Sequence, residues 1–545
     1  MRKQISLIII LGWLLVACAP TAEPVAVTRP TTLTATAVPT LTNTPPATAT
    51  IGPTPTSAPT NTPDPAAAQA LFLETLQLEL NGRQFRSVAS KLDAHFFTGI
   101  YPAVYGDAGT QAILPYLETR LVPQEQPPAI TFYPLSAEQI PPHLSAAALF
   151  PDSADQISIV GSAGWGLAGS GQALVYLRAD GSSYRWRGLV LGYGAFEAKL
   201  ALETMAAPAG LVYQIGNDYW QTDANGDPQL LIAHDGRLSL NPSATLALAA
   251  EAADDFVTMF NLSDGSSEVI DLDGRLMTSS NRVVWLDEET AVLLLTEERS
   301  LSQGTNGFPA LLNTSSKTVT KLNLELSIYT QPTASHDGTI TFGVNETSEL
   351  QLWRDEQLAT ASIAALDTWP NHFSHPHLSP NGRLVIGTST SEAEPGRIVY
   401  LLASMDQPDS KILHAIHAIP TDAAIPWHIV WSPDGQFVAL SPPSWDFVEA
   451  GYWLVSVDGT SKIFLGPGPD AIIWGSGFSA PVWLDAERVV FSAVWDGKAG
   501  LQLYDLATNE RFWLDTPQFA VTLHDGLRLA EGQMISPVQF ATGLE

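Results

Sequence analysis

From Asn241 onward the chain returns to one pattern, and no other feature restricts its fold as tightly. Taking Asn241, Leu286, Ser335, Ser379, Ser432 and Leu484 as anchors, the spacings are 45, 49, 44, 53 and 52 residues. A period in this range is that of a propeller blade. Five residues past each anchor stand Leu246, Ala291, Ile340, Leu384, Phe437 and Val489, and seven past stand Leu248, Leu293, Phe342, Ile386, Ala439 and Phe491, all apolar. Four past stand Thr245, Thr290, Thr339, Arg383, Gln436 and Arg488, all polar. This alternation predicts a strand of fixed register packed between neighbouring sheets, with the position four past each anchor on its polar side.

The anchors open turns of one chemistry. Ser432-Pro433-Asp434-Gly435, Ser379-Pro380-Asn381-Gly382 and Ser335-His336-Asp337-Gly338 each end in a dipeptide suited to positive φ. Just before the anchors stand Leu240, Trp285, Ala334, Leu378, Trp431 and Trp483. With outer hairpins such as residues 451–459 and 501–506, the repeat resembles the TolB-like propeller family, whose unit is a Trp-Ser-Pro-Asp-Gly turn followed by an apolar strand and an outer hairpin. The expected fold is mainly β, a six- or seven-bladed propeller over residues 206–545. Seven blades are preferred, because residues 218–232 read as a further outer hairpin with no inner strand before it. Residues 519–540 would then close the ring by joining both chain ends in one blade, which removes the open sheet edge.

Residues 66–205 carry a different pattern. A helical stretch over 66–80 ends at Asn81-Gly82, and further helices are expected at 84–92 and 110–121. The period then changes to strands at 156–161, 172–178 and 184–191, with Asp180-Gly181 as a hairpin turn. Helices followed by a hairpin-rich sheet make a small α+β domain. Its element order, and the hairpin region from Gly161 to Trp186, resemble the cone-shaped domains of the nuclear transport factor two-like superfamily. That resemblance implies a pocket for a small ligand lined by Trp165 and Trp186, although such tryptophans also serve simply to fill a cone.

The amino end reads as an address. Arg2 and Lys3 precede an apolar run over residues 5–16, interrupted by Ser6 and Gly12 and followed by Ala17-Cys18. Residues 1–17 have the layout of an export signal. The sequence Leu15-Val16-Ala17-Cys18 resembles the lipobox of bacterial lipoproteins, which implies that the Cys18 thiol becomes acylated and holds the protein to membrane lipid. Residues 18–65 follow as a stalk: from 19 to 65 there are 15 Thr and 11 Pro among 47 residues, too little apolar surface to offset ordering entropy. The expected location is therefore extracytoplasmic, at the cell membrane or cell surface.

The formal charge of −30, from 26 basic and 56 acidic residues, argues against nucleic acid as partner, because such binding needs clustered cations. Cys18 is the only cysteine, so no intramolecular disulfide and no thiolate zinc site is available. No Gly-x-Ser-x-Gly, Walker or His-Glu-x-x-His pattern occurs, and no catalytic residue or cofactor is assigned. One cluster stands out: His372, His375, His377, His414, His417 and His428 are six of the 11 histidines. His375 and His428 each lie four residues before an anchor and are expected at equivalent places on adjacent blades. His377, two residues on from His375, is expected on the same face. With Trp427 and His372 they are read as a binding rim at the propeller mouth for protein or glycan, with no metal assigned. The function expected is that of a non-catalytic, membrane-anchored binding module. Two alternatives remain open: a metal-assisted polysaccharide lyase or hydrolase of the cell envelope using the cluster from His372 to His428, which resembles lyases of this propeller class, and a small-molecule sensor acting through the cone domain.

Overall fold

The structure, a computed structural model, describes residues 64–541 apart from 102–103, 108–109, 124–126, 167–168, 170, 193–201, 251–253, 278–282, 297–305, 325, 328–331, 336–337, 345–348, 355–356, 365–373, 391–396, 406–409, 421–427, 442–451, 467–479, 496–497, 521, 525–527 and 532–534. Cys18, the stalk, His372 and Trp427 lie outside the described residues.

The first helix, Pro65–Asn81, starts where Asp64 accepts a hydrogen bond from the Ala66 amide and Pro65 occupies the first turn. Phe72, Leu76 and Leu80, spaced by four, form its buried stripe. Asn81 does more than end the helix. Its amide nitrogen donates to the Ile130 carbonyl at 3.0 Å and its oxygen accepts from the Ile130 amide at 2.8 Å, tying the helix end to a distant segment. A second helix, Phe85–Lys91, runs directly into strand β1 (Leu92–Tyr101). The remaining strands are β2 (Val104–Asp107), β3 (Thr131–Pro134), β4 (Ile157–Trp165), β5 (Gly171–Asp180) and β6 (Ser183–Gly192). They form one sheet in the order β2-β1-β6-β5-β4-β3, with β1 parallel to β6 and the other pairs antiparallel. The β5–β6 hairpin turns at Gly181, whose φ of 63° suits a residue without Cβ.

Beyond residue 210 the described strands fall into seven sets built on four strands each, the third and seventh carrying further short strands, with a separate two-stranded pair at Thr522–His524 and Arg528–Glu531. The first contains Leu211–Ile215, Asp218–Thr222 and Pro228–Ala233, and its fourth member is Ile535–Phe540 from the other end of the chain. Phe540 pairs with Leu211 and Ile535 with Ile215. The two ends of this region therefore meet in one sheet, but the expectation that the hairpin lacked an inner strand before it is corrected. Leu211–Ile215 supplies one, and the carboxyl end adds a single strand. Val212 and Tyr213 are buried on both sides of that strand, so it carries little of the alternation by which an edge or half-exposed strand is read.

The second to seventh sets begin at Leu238, Val284, Thr333, Ser374, His428 and Val482. The fourth and fifth also join edge to edge through a short parallel pairing of Ile363 with Ser410 and Ala364 with Lys411. Thr204–Met205 adds to the outer strand of the seventh set, pairing with Trp513 and Leu514, so residues just before 206 belong to this region as well.

Five past each anchor Ala291, Ile340 and Val489 are buried while Leu246, Leu384 and Phe437 are half-buried, and the register holds fully at the position seven past. Leu248, Leu293, Phe342, Ile386, Ala439 and Phe491 are all buried, and so are Ala247, Val292, Thr341, Val385, Val438 and Val490 on the opposite face. Sheets cover both sides of these strands. On the polar side Thr245, Arg383 and Gln436 are exposed and Thr290 and Arg488 half-buried, but Thr339 has no exposed surface. This corrects the expectation of a solvated residue. Arg354, on the neighbouring strand, reaches back and donates from Nε to Thr339 Oγ1 at 2.7 Å, covering the hydroxyl with a charged hydrogen bond.

Candidate functional site

The anchor turns explain why the repeat is so regular. Ser432 Oγ donates to Asp434 Oδ1 at 2.6 Å and accepts from the Phe437 amide at 2.9 Å, while Asp434 also accepts from the Gln436 amide. Gly435, at φ 70°, closes the turn by donating to the Ser432 carbonyl. Ser379 repeats this with Asn381 and the Leu384 amide. In the second set Asn241 takes the serine's place, its Oδ1 accepting from the Thr245 and Leu246 amides at 2.9 Å. The same device recurs in an outer hairpin, where Ser456 donates to Asp458 at 2.6 Å and accepts from the Ser461 amide. Hydrogen bonds from the Ser456 hydroxyl and from the amide and hydroxyl of Thr460 pull the Asp458 carboxyl down to about 2.

The tryptophan before the anchor has a role the repeat alone did not reveal. Trp431 Nε1 donates to the His377 carbonyl at 3.2 Å, and Trp483 Nε1 to the Val430 carbonyl at 3.2 Å. Both acceptors lie two residues before the anchor of the preceding set, so the indole fastens each set to its neighbour. The signal was present as Trp431 and Trp483 at one repeat position. Trp285, at the same position, is different: its buried Nε1 has no hydrogen-bond partner.

The histidine rim is built into these first strands. His377 and His428 are each 8% exposed, on Ser374–Leu378 and His428–Trp431 respectively. His375 lies on the same strand as His377, and a register shift falls between Ser374 and His377. Ser374 pairs with Thr388 and His377 with Ile386, so three residues on one strand span two on the other. Trp427 and His372 fall outside the described residues, so the rim is described only at His377 and His428. His414 is half-buried and held by the neighbouring set, with its Nε2 2.8 Å from the Val457 carbonyl. Among the described residues, no group of three or more His, Cys, Asp or Glu side chains converges in a way that would hold a metal ion.

In the α+β domain Trp165 and Trp186 have no exposed surface. Their rings lie 6.1 Å apart, and Phe96 meets Trp186 edge-on at 5.2 Å. Trp165 Nε1 donates to Ser162 Oγ at 2.8 Å and Trp186 Nε1 to the Gly188 carbonyl at 2.9 Å. Both indoles are thus enclosed by protein with their polar atoms satisfied, which is the arrangement of core residues. They present no face to a ligand in this structure.

No protein-family model and no curated protein matches the chain. Among solved structures it is similar to TolB from Acinetobacter baumannii, at 14% identity over 65% of this chain and 90% of that one, with a TM-score of 0.32. It is likewise similar to an oligogalacturonate lyase from Vibrio parahaemolyticus, at 11% identity over 56% and 90%, TM-score 0.38. A third is apo AztD from Citrobacter koseri, at 13% identity over 66% and 95%, TM-score 0.36. The chain itself is mainly β, its described strands lying in many small sheets.

Proposed function

We propose that the chain works outside the cytoplasm as a non-catalytic binding lipoprotein, held to the membrane through acylated Cys18 and engaging a protein or glycan at its propeller rim. The seven sets are read as seven blades. The observation that carries this reading is the commitment of the repeat's own polar groups to the fold. The hydroxyls of Ser379 and Ser432 and the amide of Asn241 bond within their turns. His377 and His428 are buried in strand walls. What remains for recognition is the set of residues that differ from one repeat to the next, with Trp427 and His372 among them. Aromatic and imidazole rings suit stacking on sugars and on peptide side chains. No helix among the described residues is long and apolar enough to cross a membrane, and attachment is assigned to the acyl chains.

Two measurements on the full chain test this. In cells, labelled palmitate is expected to enter the wild type and not Cys18→Ser, and the variant is expected to leave the detergent phase after a salt wash. A Cys18→Ser protein that stays with membrane refutes the anchor. Purified protein is then screened against glycan and peptide arrays, where binding without turnover is expected, weakened in His372→Ala/Trp427→Ala. Polysaccharide cleavage that is lost with a chelator and restored by Zn²⁺ or Mn²⁺ would refute the binding-module reading in favour of a metal-assisted lyase or hydrolase.

A further inference from the structure

The sixth and seventh sets face each other across an apolar layer. Ala439, Tyr452, Leu454 and Leu465 come from one side and Trp483, Val489, Phe491, Ala493 and Tyr504 from the other. Two polar side chains intrude. The register pairs Phe491 with Gln502 and Gln502 with Trp513, and pairs Val489 with Tyr504 and Tyr504 with Arg511, so all of these residues lie on one face of the seventh sheet. Gln502 has no exposed surface, and neither its amide nitrogen nor its amide oxygen has a hydrogen-bond partner. Leaving both ends of a buried amide unmade is costly, and such a group calls for an occupant.

Arg511 is the diagonal neighbour of Gln502 on that face, roughly 7–8 Å away between backbones. Its guanidinium lies 4.7 Å from the centre of the half-buried Trp495 ring and 5.6 Å from that of Phe491. Stacking on an aromatic face uses none of the five N–H donors of a guanidinium, because they radiate in its plane. No ion pair to Arg511 occurs among the described residues, and the nearby Tyr504 hydroxyl donates to Asn509. The charge persists at neutral pH even though burial pulls the guanidinium down to about 10. A cation over two rings, on the same sheet face as an unsatisfied amide, is half of a recognition site, and the missing half is an anion with acceptor atoms.

We propose that Arg511 and Gln502 form a binding site for a small carboxylate ligand with a planar apolar body. The guanidinium takes the carboxylate through paired N–H donors, the Gln502 amide supplies a further donor, and Trp495 and Phe491 flank the ligand's apolar part. The site lies between the sixth and seventh sets and is independent of the rim at His377 and His428.

The test uses the full chain, with benzoate as probe, benzamide as its neutral counterpart and sodium chloride at matched ionic strength. Benzoate is expected to raise the melting temperature saturably and to give a one-to-one calorimetric isotherm, while benzamide and chloride do neither. Arg511→Met, which keeps a flexible apolar side chain over the rings, is expected to abolish the benzoate effect. Gln502→Leu is expected to weaken binding about tenfold, the size of one lost charged hydrogen bond. Arg511→Lys retains the charge without the planar fork and is expected to bind more weakly than wild type. His372→Ala/Trp427→Ala is expected to leave benzoate binding unchanged, which separates this site from the rim. Equal shifts with benzoate and chloride overturn the proposal and leave Gln502 to an internal water. So does a benzoate isotherm that survives Arg511→Met, or one unaffected by both Gln502→Leu and Arg511→Lys.

Discussion

Replacing Phe491 by alanine tests the repeat register at its most demanding point. Phe491 is 1% exposed, and its ring centre lies 5.4 Å from that of Tyr452 on the facing sheet. Around it are Leu454, Leu465, Trp483 and Val489, with Arg511 over its face. Truncation removes roughly 100 Å² of buried apolar surface, about 2.5 kcal/mol at 25 cal/mol per Å². The cavity left between two sheets that cannot collapse adds a further 1–2 kcal/mol or so, and loss of the cation–π contact about 0.5–1. The expected cost is therefore about 4–5.5 kcal/mol, read as a lower urea midpoint at unchanged slope by tryptophan fluorescence. Phe491→Leu refills most of the volume and should cost about 1–1.5 kcal/mol. Gln436→Ala, at an exposed position of another repeat, should change stability by less than about 0.5 kcal/mol. If Phe491→Ala and Gln436→Ala moved the midpoint equally, the strand faces and the sheet register would both be wrong.

Thr339→Ala removes the acceptor for Arg354 Nε and is expected to cost about 1–3 kcal/mol in the same melts, well above the value for Gln436→Ala. Trp431→Phe loses the bond to the His377 carbonyl and should cost about 1 kcal/mol more than Trp285→Phe, whose indole nitrogen has nothing to lose; equal costs would show that the indole bond between sets contributes nothing. Asp458 has a folded-state value below its unfolded one, so its contribution is fully present above about pH 4 and is lost as pH falls through about 2. The melting-temperature advantage of wild type over Asp458→Asn is expected to shrink across that window, and a constant difference would refute the assignment.

The elements legible in the residues are those governed by local rules. Pro65–Asn81 carries its own cap and stop, the β5–β6 hairpin its Asp-Gly turn, and the anchors their Ser-Pro-Asp-Gly geometry. Each is written within a few residues, so a single pass along the chain finds it. Strand β1 was not found, because it continues a helix without a break and its pairing is parallel, with β6 some 90 residues away. The polar face misplaced Thr339 for a similar reason: a threonine reads as solvated until a distant arginine is brought over it.

The candidate sites divide in the same way. The histidine cluster was visible in the sequence, but the register shift beside His377 and the burial of His377 and His428 exist only in the assembled sheets. Trp165 and Trp186 were found as a pair, and only the surrounding core decided that they fill space. Arg511 and Gln502 carry no motif at all. Their meaning comes from what fails to reach them once two sheets have closed, which is a property of the packed molecule. By itself, then, the sequence determined the α+β unit and the repeating β architecture, because these depend on composition, periodicity and turn chemistry. The tertiary structure decided which polar groups are spent on the fold and which are left unsatisfied, because burial and pairing exist only after distant segments meet.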